Sequence, residues 1–167
     1  VLDEIYYRAF DNEYFKRMTQ RLGLYENNEK DKNLIDSMLN RLENSSIDFN
    51  LFFRKLSSYD GDKSPVLDIA VYRTPLESWL DDYDERLKKE TLSQKERHKK
   101  MLAVNPKYIL KNHILQEAID LANADDFSMV NDLLKVALSP CEEHKDLEHL
   151  CKPTPQRAKN IKLSCSS

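Results

Sequence analysis

Gly23 and Gly61 are the only glycines in a chain of 167 residues. Tight hairpins, glycine-rich phosphate loops and close backbone crossings all draw on residues that tolerate positive φ or lack a Cβ. A chain with two such positions is biased toward helices joined by polar loops. With 40% hydrophobic and 33% charged residues, it can bury a modest core under a solvated surface. The formal net charge of −3 gives no global attraction to nucleic acid or to an anionic membrane. No apolar run approaches the length needed to span a bilayer. No signal-peptide pattern opens the chain, and Val1 in place of an initiator Met suggests a fragment of something longer.

The apolar residues recur at helical spacing almost throughout. Ile5, Phe10, Tyr14, Phe15, Met18 and Leu22 predict a first helix, stopped by Gly23. Leu34, Ile35, Met38, Leu39 and Leu42 predict a second from about Asp31, broken at Asn44-Ser-Ser46. Ile47, Phe49, Phe52, Phe53 and Leu56 form a third, short segment. Residues 57–74 read as a loop, with Asp60-Gly61 and Ser64-Pro65 as turn signals. Thr74 and Glu77 suggest a capping box with Pro75 at the first helical position, ahead of buried Trp79, Leu80, Tyr83 and Leu87. Ser93 and Glu96 suggest a second capping box, opening a helix through Met101. Asn105 and Pro106 predict the sharp start of a further helix with Leu110, Ile114, Leu115, Ala118, Ile119 and Ala122 on its apolar face. Asp125-Asp126 can cap a last helix, with Val130, Leu133, Leu134 and Leu138 inside and Pro140 after it. The expected fold is all-α, an irregular bundle of six or seven helices over residues 1–140, followed by an irregular tail over 141–167.

Candidate chemistry is sparse. Cys141, His144, His149 and Cys151 are soft or borderline ligands at short spacing and form a weak candidate zinc site. A single residue separates His149 from Cys151, and His144 and His149 would not share a helix face, so the ordinary reading is a polar tail. Three cysteines, all in the last 27 residues, do not make a disulfide framework. Cys165, third from the end, is a free thiol on a terminal arm or a redox partner for another thiol. The segment from Arg86 to Lys111 is basic but has a single aromatic, Tyr108, so a solvated helical face is favoured over a nucleic-acid surface. Trp79, Tyr83, Phe52 and Phe53 read as core. Asp81-Asp82 and Asp125-Asp126 do not straddle a substrate. No catalytic residue, phosphate loop or cofactor motif emerges from residue types alone.

Several ordered blocks resemble one family. Asn105-Pro-Lys-Tyr-Ile-Leu-Lys-Asn-His113 with Gln116-Glu-Ala-Ile119 is similar to a characteristic segment of the SelO (selenoprotein O) proteins. So are Asp126-Phe127 with Leu133-Leu134 and Pro140, and Trp79-Leu-x-x-Tyr83-x-x-Arg86-Leu87. Arg21-Leu-Gly-Leu24 and Asp48-Phe49 with Phe53-Arg54-x-Leu56 match further blocks. The closing Ser164-Cys-Ser-Ser167 resembles the family's terminus, where some animal members carry selenocysteine at the position of Cys165. The chain departs from the pattern at Lys111, usually Arg, at Asp125, commonly Gly, and over Cys141 to Asn160.

The resemblance implies the C-terminal helical region of a pseudokinase-fold protein adenylyltransferase. Such a parent transfers AMP from ATP, with Mg²⁺ or Mn²⁺, to Ser, Thr or Tyr hydroxyls of proteins. Its nucleotide and metal ligands lie in the preceding kinase-like domain, so none carries over to a residue of this chain, and no cofactor is expected in it. The implied partners are that catalytic domain and the parent's protein substrates. Cys165 alone inherits a role, as a redox-regulatory thiol. The implied location is mitochondrial for a eukaryotic source and cytoplasmic for a bacterial one. An independent helical interaction module and a small zinc-binding protein are the alternatives.

Overall fold

The computed structural model describes residues 2–158 and 160–163. Among these it has eight α-helices, two 3₁₀ segments and no strand, in line with the glycine scarcity. The chain divides into two compact units, Val1–Asn105 and Pro106–Ser167.

The first unit holds α1 (Leu2–Arg21), α2 (Asp31–Asn44), α3 (Phe49–Leu56), α4 (Ser64–Leu67), α5 (Arg73–Leu87) and α6 (Gln94–Val104). Its core gathers Leu22, Met38, Phe52, Trp79, Tyr83 and Met101, all fully enclosed, with apolar neighbours from every helix. Trp79 and Tyr83, one turn apart on α5, stack at 5.1 Å, and Phe52 meets the Trp79 ring edge-on at 5.7 Å. The indole N–H is satisfied by the Leu34 carbonyl at 2.9 Å, so the largest side chain is buried without an orphan donor.

Local signals explain several helix ends. Gly23, at φ +68°, closes α1 in a Schellman motif: its N–H donates to the Gln20 carbonyl and the Leu24 N–H to that of Thr19. Leu24 is buried just beyond, which fixes the exit of the chain. The Ser93–Glu96 capping box forms at the start of α6. Asp48 caps α3 by accepting from the Leu51 N–H at 2.9 Å.

Other expectations are corrected. The supposed loop at 57–74 contains α4, whose Val66 and Leu67 enter the core. No capping box forms at Thr74, because α5 begins at Arg73 and Tyr72 occupies the cap without a side-chain bond. Pro75 still lies in the first turn, where its missing N–H has no intrahelical partner to lose. On α1 only the last turns behave as predicted: Met18 and Leu22 are buried, whereas Ile5, Phe10 and Tyr14 are exposed.

In the second unit α7 (Asn112–Ala122) packs on α8 (Ser128–Leu138). The predicted start at Asn105–Pro106 is wrong. Asn105 is instead the C-cap of α6, with extended backbone, and the next helix starts at Asn112. The Lys107 and Tyr108 N–H groups both donate to the Pro140 carbonyl, at 2.8 and 3.1 Å, and hold this stretch as a connector. Leu110 and Ile119 are accordingly exposed, and Ile114 and Ala118 carry the buried face. On α8 the inward stripe is Met129, Leu133 and Val136, and not Val130, Leu134 and Leu138. Asp126 does serve the start of α8, accepting from the Ser128 N–H at 2.9 Å. Beyond Pro140, the stretch Lys145–Cys151 is a kinked 3₁₀ segment whose Leu147 and Leu150 complete the second core with Tyr108.

Candidate functional site

Helical spacing puts Trp79, Tyr83 and Arg86 on one stripe of α5, which faces inward. An arginine at the end of a buried stripe must find partners for a planar, permanently charged fork. Arg86 finds them on three elements. Its Nε and one terminal nitrogen grip both oxygens of Asp31, the first residue of α2, at 2.6 and 3.0 Å. The other terminal nitrogen bonds Glu90, one turn on, at 2.8 Å, and the Glu26 carbonyl accepts a further bond at 2.5 Å. Glu90 in turn accepts from the Tyr25 N–H at 2.8 Å and from the Glu26 N–H. One guanidinium, in the last turn of α5, thus clamps the α1–α2 loop, the start of α2 and the segment just after α5.

The side chains of Arg86, Asp31 and Glu90 are 5%, 2% and 3% exposed. Burial by itself lowers the Arg86 pKa, but the bonds and charges of Asp31 and Glu90 outweigh it and hold the group above its ordinary value. Asp31 also places negative charge in the first turn of α2, where the helix dipole favours it. A solvent-open depression of about 620 Å³ lies over this network, lined by Lys30, Arg41, Asp82, Glu85 and Lys89 among others. Its charges are mixed in sign. Arg41 is already engaged with the Pro75 and Ser37 carbonyls at 2.7 and 2.9 Å, as Arg86 is with Asp31 and Glu90.

Two further networks lock the same unit. The Tyr83 hydroxyl donates to the Leu22 carbonyl at 2.6 Å and accepts from buried Arg97 at 3.2 Å, and Arg97 also bonds the Tyr59 carbonyl at 2.9 Å. Burial pushes the Tyr83 hydroxyl pKa up, against the pull of Arg97. Burial and the bond to Asp84 push Tyr59 up as well. Both hydroxyls therefore stay protonated donors and supply no base.

The second network centres on Asn105. Its amide oxygen accepts from Arg21 at 2.9 Å, and its amide nitrogen donates to the Arg21 carbonyl and the Ser57 hydroxyl at 2.8 and 2.9 Å. Arg21 lies over the Phe53 ring at 4.1 Å, and Arg54 bonds the Asn105 carbonyl at 3.1 Å. These bonds explain why Asn105 cannot cap a helix that follows it. Asn105→Ala removes three of them in a fully buried setting, and a loss of about 2–3 kcal/mol is expected. Chemical denaturation, read as a midpoint shift at constant slope, checks it.

The second unit treats its polar residues alike. The Lys107 ammonium pairs with Glu143 and Glu148. Burial lowers its pKa, but the two carboxylates outweigh that and raise it. Tyr108 and His144 exchange bonds: the Tyr108 hydroxyl donates to the His144 carbonyl at 3.1 Å and accepts the His144 N–H at 3.2 Å.

The four weak zinc candidates are not gathered. Among the described residues no group of three or more His, Cys, Asp or Glu side chains could hold a metal ion. The His144 ring is engaged by Ser139 at 2.9 Å, His149 is exposed, and Cys151 donates to the Glu148 carbonyl at 3.0 Å. Burial pushes the Cys151 thiol up, with Lys107 pulling against it and Glu148 adding to it. Cys165 lies outside the described residues. The basic segment is likewise no continuous stripe, since Arg86 and Arg97 are buried and Lys107 is paired.

Sequence reasoning missed the Arg86, Arg97 and Asn105 networks. The Arg86–Glu90 spacing of four was a local signal for one pair. Asp31 and Arg21 lie 55 and 84 residues from their partners and had none.

Several residues tied up in these networks, among them Arg21, Tyr83, Arg86, Asn105 and Tyr108, lie in the blocks set out in the sequence analysis. The profile of the family described as protein adenylyltransferase SelO matches residues 2–138. A protein nucleotidyltransferase YdiU of Myxococcus xanthus is 37% identical over 166 residues, covering 97% of this chain and 34% of the relative. Those of Vibrio atlanticus and Aliivibrio fischeri are 39% and 40% identical over 158 residues, covering 93% of this chain and 33% of each relative. The chain thus spans about a third of the length of the curated relatives it matches. It belongs to the SelO family of protein adenylyltransferases.

Proposed function

We propose that this chain is the helical scaffold region of a longer protein adenylyltransferase, and that the chemistry resides in the remaining two-thirds. The observation that carries this reading is the use to which the family-like residues are put. Trp79, Tyr83, Arg86, Asn105 and Tyr108 are all buried and bonded to their own fold. Residues that bind or turn over a substrate keep a polar atom available to it. In the whole protein, a Ser, Thr or Tyr hydroxyl of a protein substrate would take AMP from ATP, with pyrophosphate leaving.

ATP with Mg²⁺ or Mn²⁺ does not fit the lining of the open depression described above. The two arginines that line the open depression are consumed by internal acceptors, and its lysines share the lining with Asp82 and Glu85. No step of the transfer is assigned to it. The test is transfer of labelled AMP from ATP by the longer polypeptide and by this chain, side by side. Labelling by the longer protein alone is expected. Labelling by these 167 residues would overturn the assignment.

The reading includes a regulatory role for Cys165 as a thiol that pairs with a cysteine of the catalytic part under oxidising conditions. Cys165→Ser in the longer protein is then expected to abolish the difference in transfer rate between oxidised and reduced enzyme. An unchanged difference contradicts that role.

A further inference from the structure

The first three turns of α1 are exposed on every side. From Asp3 to Tyr14 all residues are exposed, with Tyr6 at 64%, Phe10 at 55% and Ile5 at 62%. The rings are ordered nonetheless: Tyr6 stacks on Phe10 at 6.4 Å and Phe10 on Tyr14 at 6.1 Å, while Tyr7 meets Tyr6 edge-on at 5.6 Å. Such a ladder on an unsupported stretch is at odds with helix physics, since a segment this short is marginal in water without tertiary packing.

The angular spread of the apolar residues narrows what can cover them. At 100° per residue, Ile5 at 0° is followed by Tyr6 at about 100°, Phe10 at about 140°, Tyr14 at about 180° and Tyr7 at about 200°. A helix that lies on one surface, or pairs with a second copy of itself, needs an apolar stripe of roughly 100°. Here the apolar arc is about twice that, as in a helix enclosed by a core. The partner must therefore wrap the helix, which takes a substantial folded body.

We infer that residues 3–14 of α1 form an inserted core helix, enclosed on several sides by the part of the longer polypeptide that precedes this region. The proposal rests on the reading above. The relatives supply the occupant, since this chain aligns with their C-terminal part and about two-thirds of their length lies before it. Glu13 at about 80° and Asp3 at about 160° fall within the same arc, so the enclosing body must also accommodate charge there, and Glu13 is already paired with Arg17 at 2.8 Å.

Hydrogen exchange of wild-type protein tests this without a folding variant. In the isolated chain the amides of residues 4–14 are expected to exchange within about 10-fold of the unstructured rate, and in the longer polypeptide at least about 100-fold more slowly. Phe10→Asp is expected to leave the isolated chain's melting midpoint unchanged and to lower that of the longer protein. Equal, fast exchange of this stretch in both proteins overturns the inference while leaving the transfer assay untouched. Protection that grows with concentration of the isolated chain also overturns it, because a second copy is then the occupant.

Discussion

Arg86→Ala is expected to destabilise the first unit by about 3–5 kcal/mol, the largest single effect outside the aromatic core. The cost does not lie in the lost attraction alone. Removing the guanidinium leaves the Asp31 and Glu90 carboxylates enclosed without their cation, and it frees the Glu26 carbonyl as well. The loop that these bonds pin, from Leu24 to Lys30, is then released from both neighbouring helices. In a unit of this size, a loss of 3 kcal/mol corresponds to a fall in melting temperature of roughly 12 °C or more. Arg86→Lys keeps the charge but cannot grip both oxygens of Asp31, so it is expected to recover only part of the loss. Thermal and urea unfolding of the two variants measure this. A full recovery by lysine would mean that charge, and not the fork geometry, holds the network.

Gly23→Ala is expected to cost about 2–5 kcal/mol, from two separate causes. The Schellman motif needs φ near +68° at this position, which an L side chain adopts at a cost of roughly 1–2 kcal/mol. A Cβ there would also stand 2.5 Å from the Met101 sulfur and 2.8 Å from Cγ of Arg97, so α6 must give way at a further cost of about 1–3 kcal/mol. The two parts separate in a double variant. Met101→Ala removes the nearest obstacle, and its own penalty combined with that of Gly23→Ala is expected to be less than additive. Strict additivity would show that only the backbone conformation matters.

The contrast between Gly23 and Asn105 shows how far the sequence could be read. Gly23 and the Ser93–Glu96 box act on neighbours within a few residues, so their rules apply wherever the motif occurs. Asn105-Pro106 obeys the same local rules for a helix start, yet it ends α6. Its amide is claimed by Arg21 and Ser57, which no local rule can see. Arg86 and Arg97 were counted into a basic surface because charge in a sequence is read as solvated, and their carboxylate and carbonyl partners come from distant elements. The apolar spacing on α1 predicted a helix and a helix forms, but within this unit only its last turns find cover. On α8 the apolar residues are dense enough to allow more than one stripe. The choice fell to Met129, Leu133 and Val136, which meet the second core formed with Tyr108, Leu147 and Leu150. The family itself was legible in the ordered blocks, because buried scaffold residues leave a pattern that spacing alone does not explain.

The central claim is that the residues carrying that pattern act by holding the fold and not by touching nucleotide or substrate. Its most direct test is steady-state AMP transfer by the longer protein carrying Asn105→Ala, measured below its melting range and normalised to the folded fraction. The scaffold account predicts an unchanged KM for ATP and an unchanged kcat per folded molecule, with the whole effect in stability. A fall of about 100-fold in kcat per folded molecule at unaltered stability, as removal of a transition-state contact gives, would contradict it.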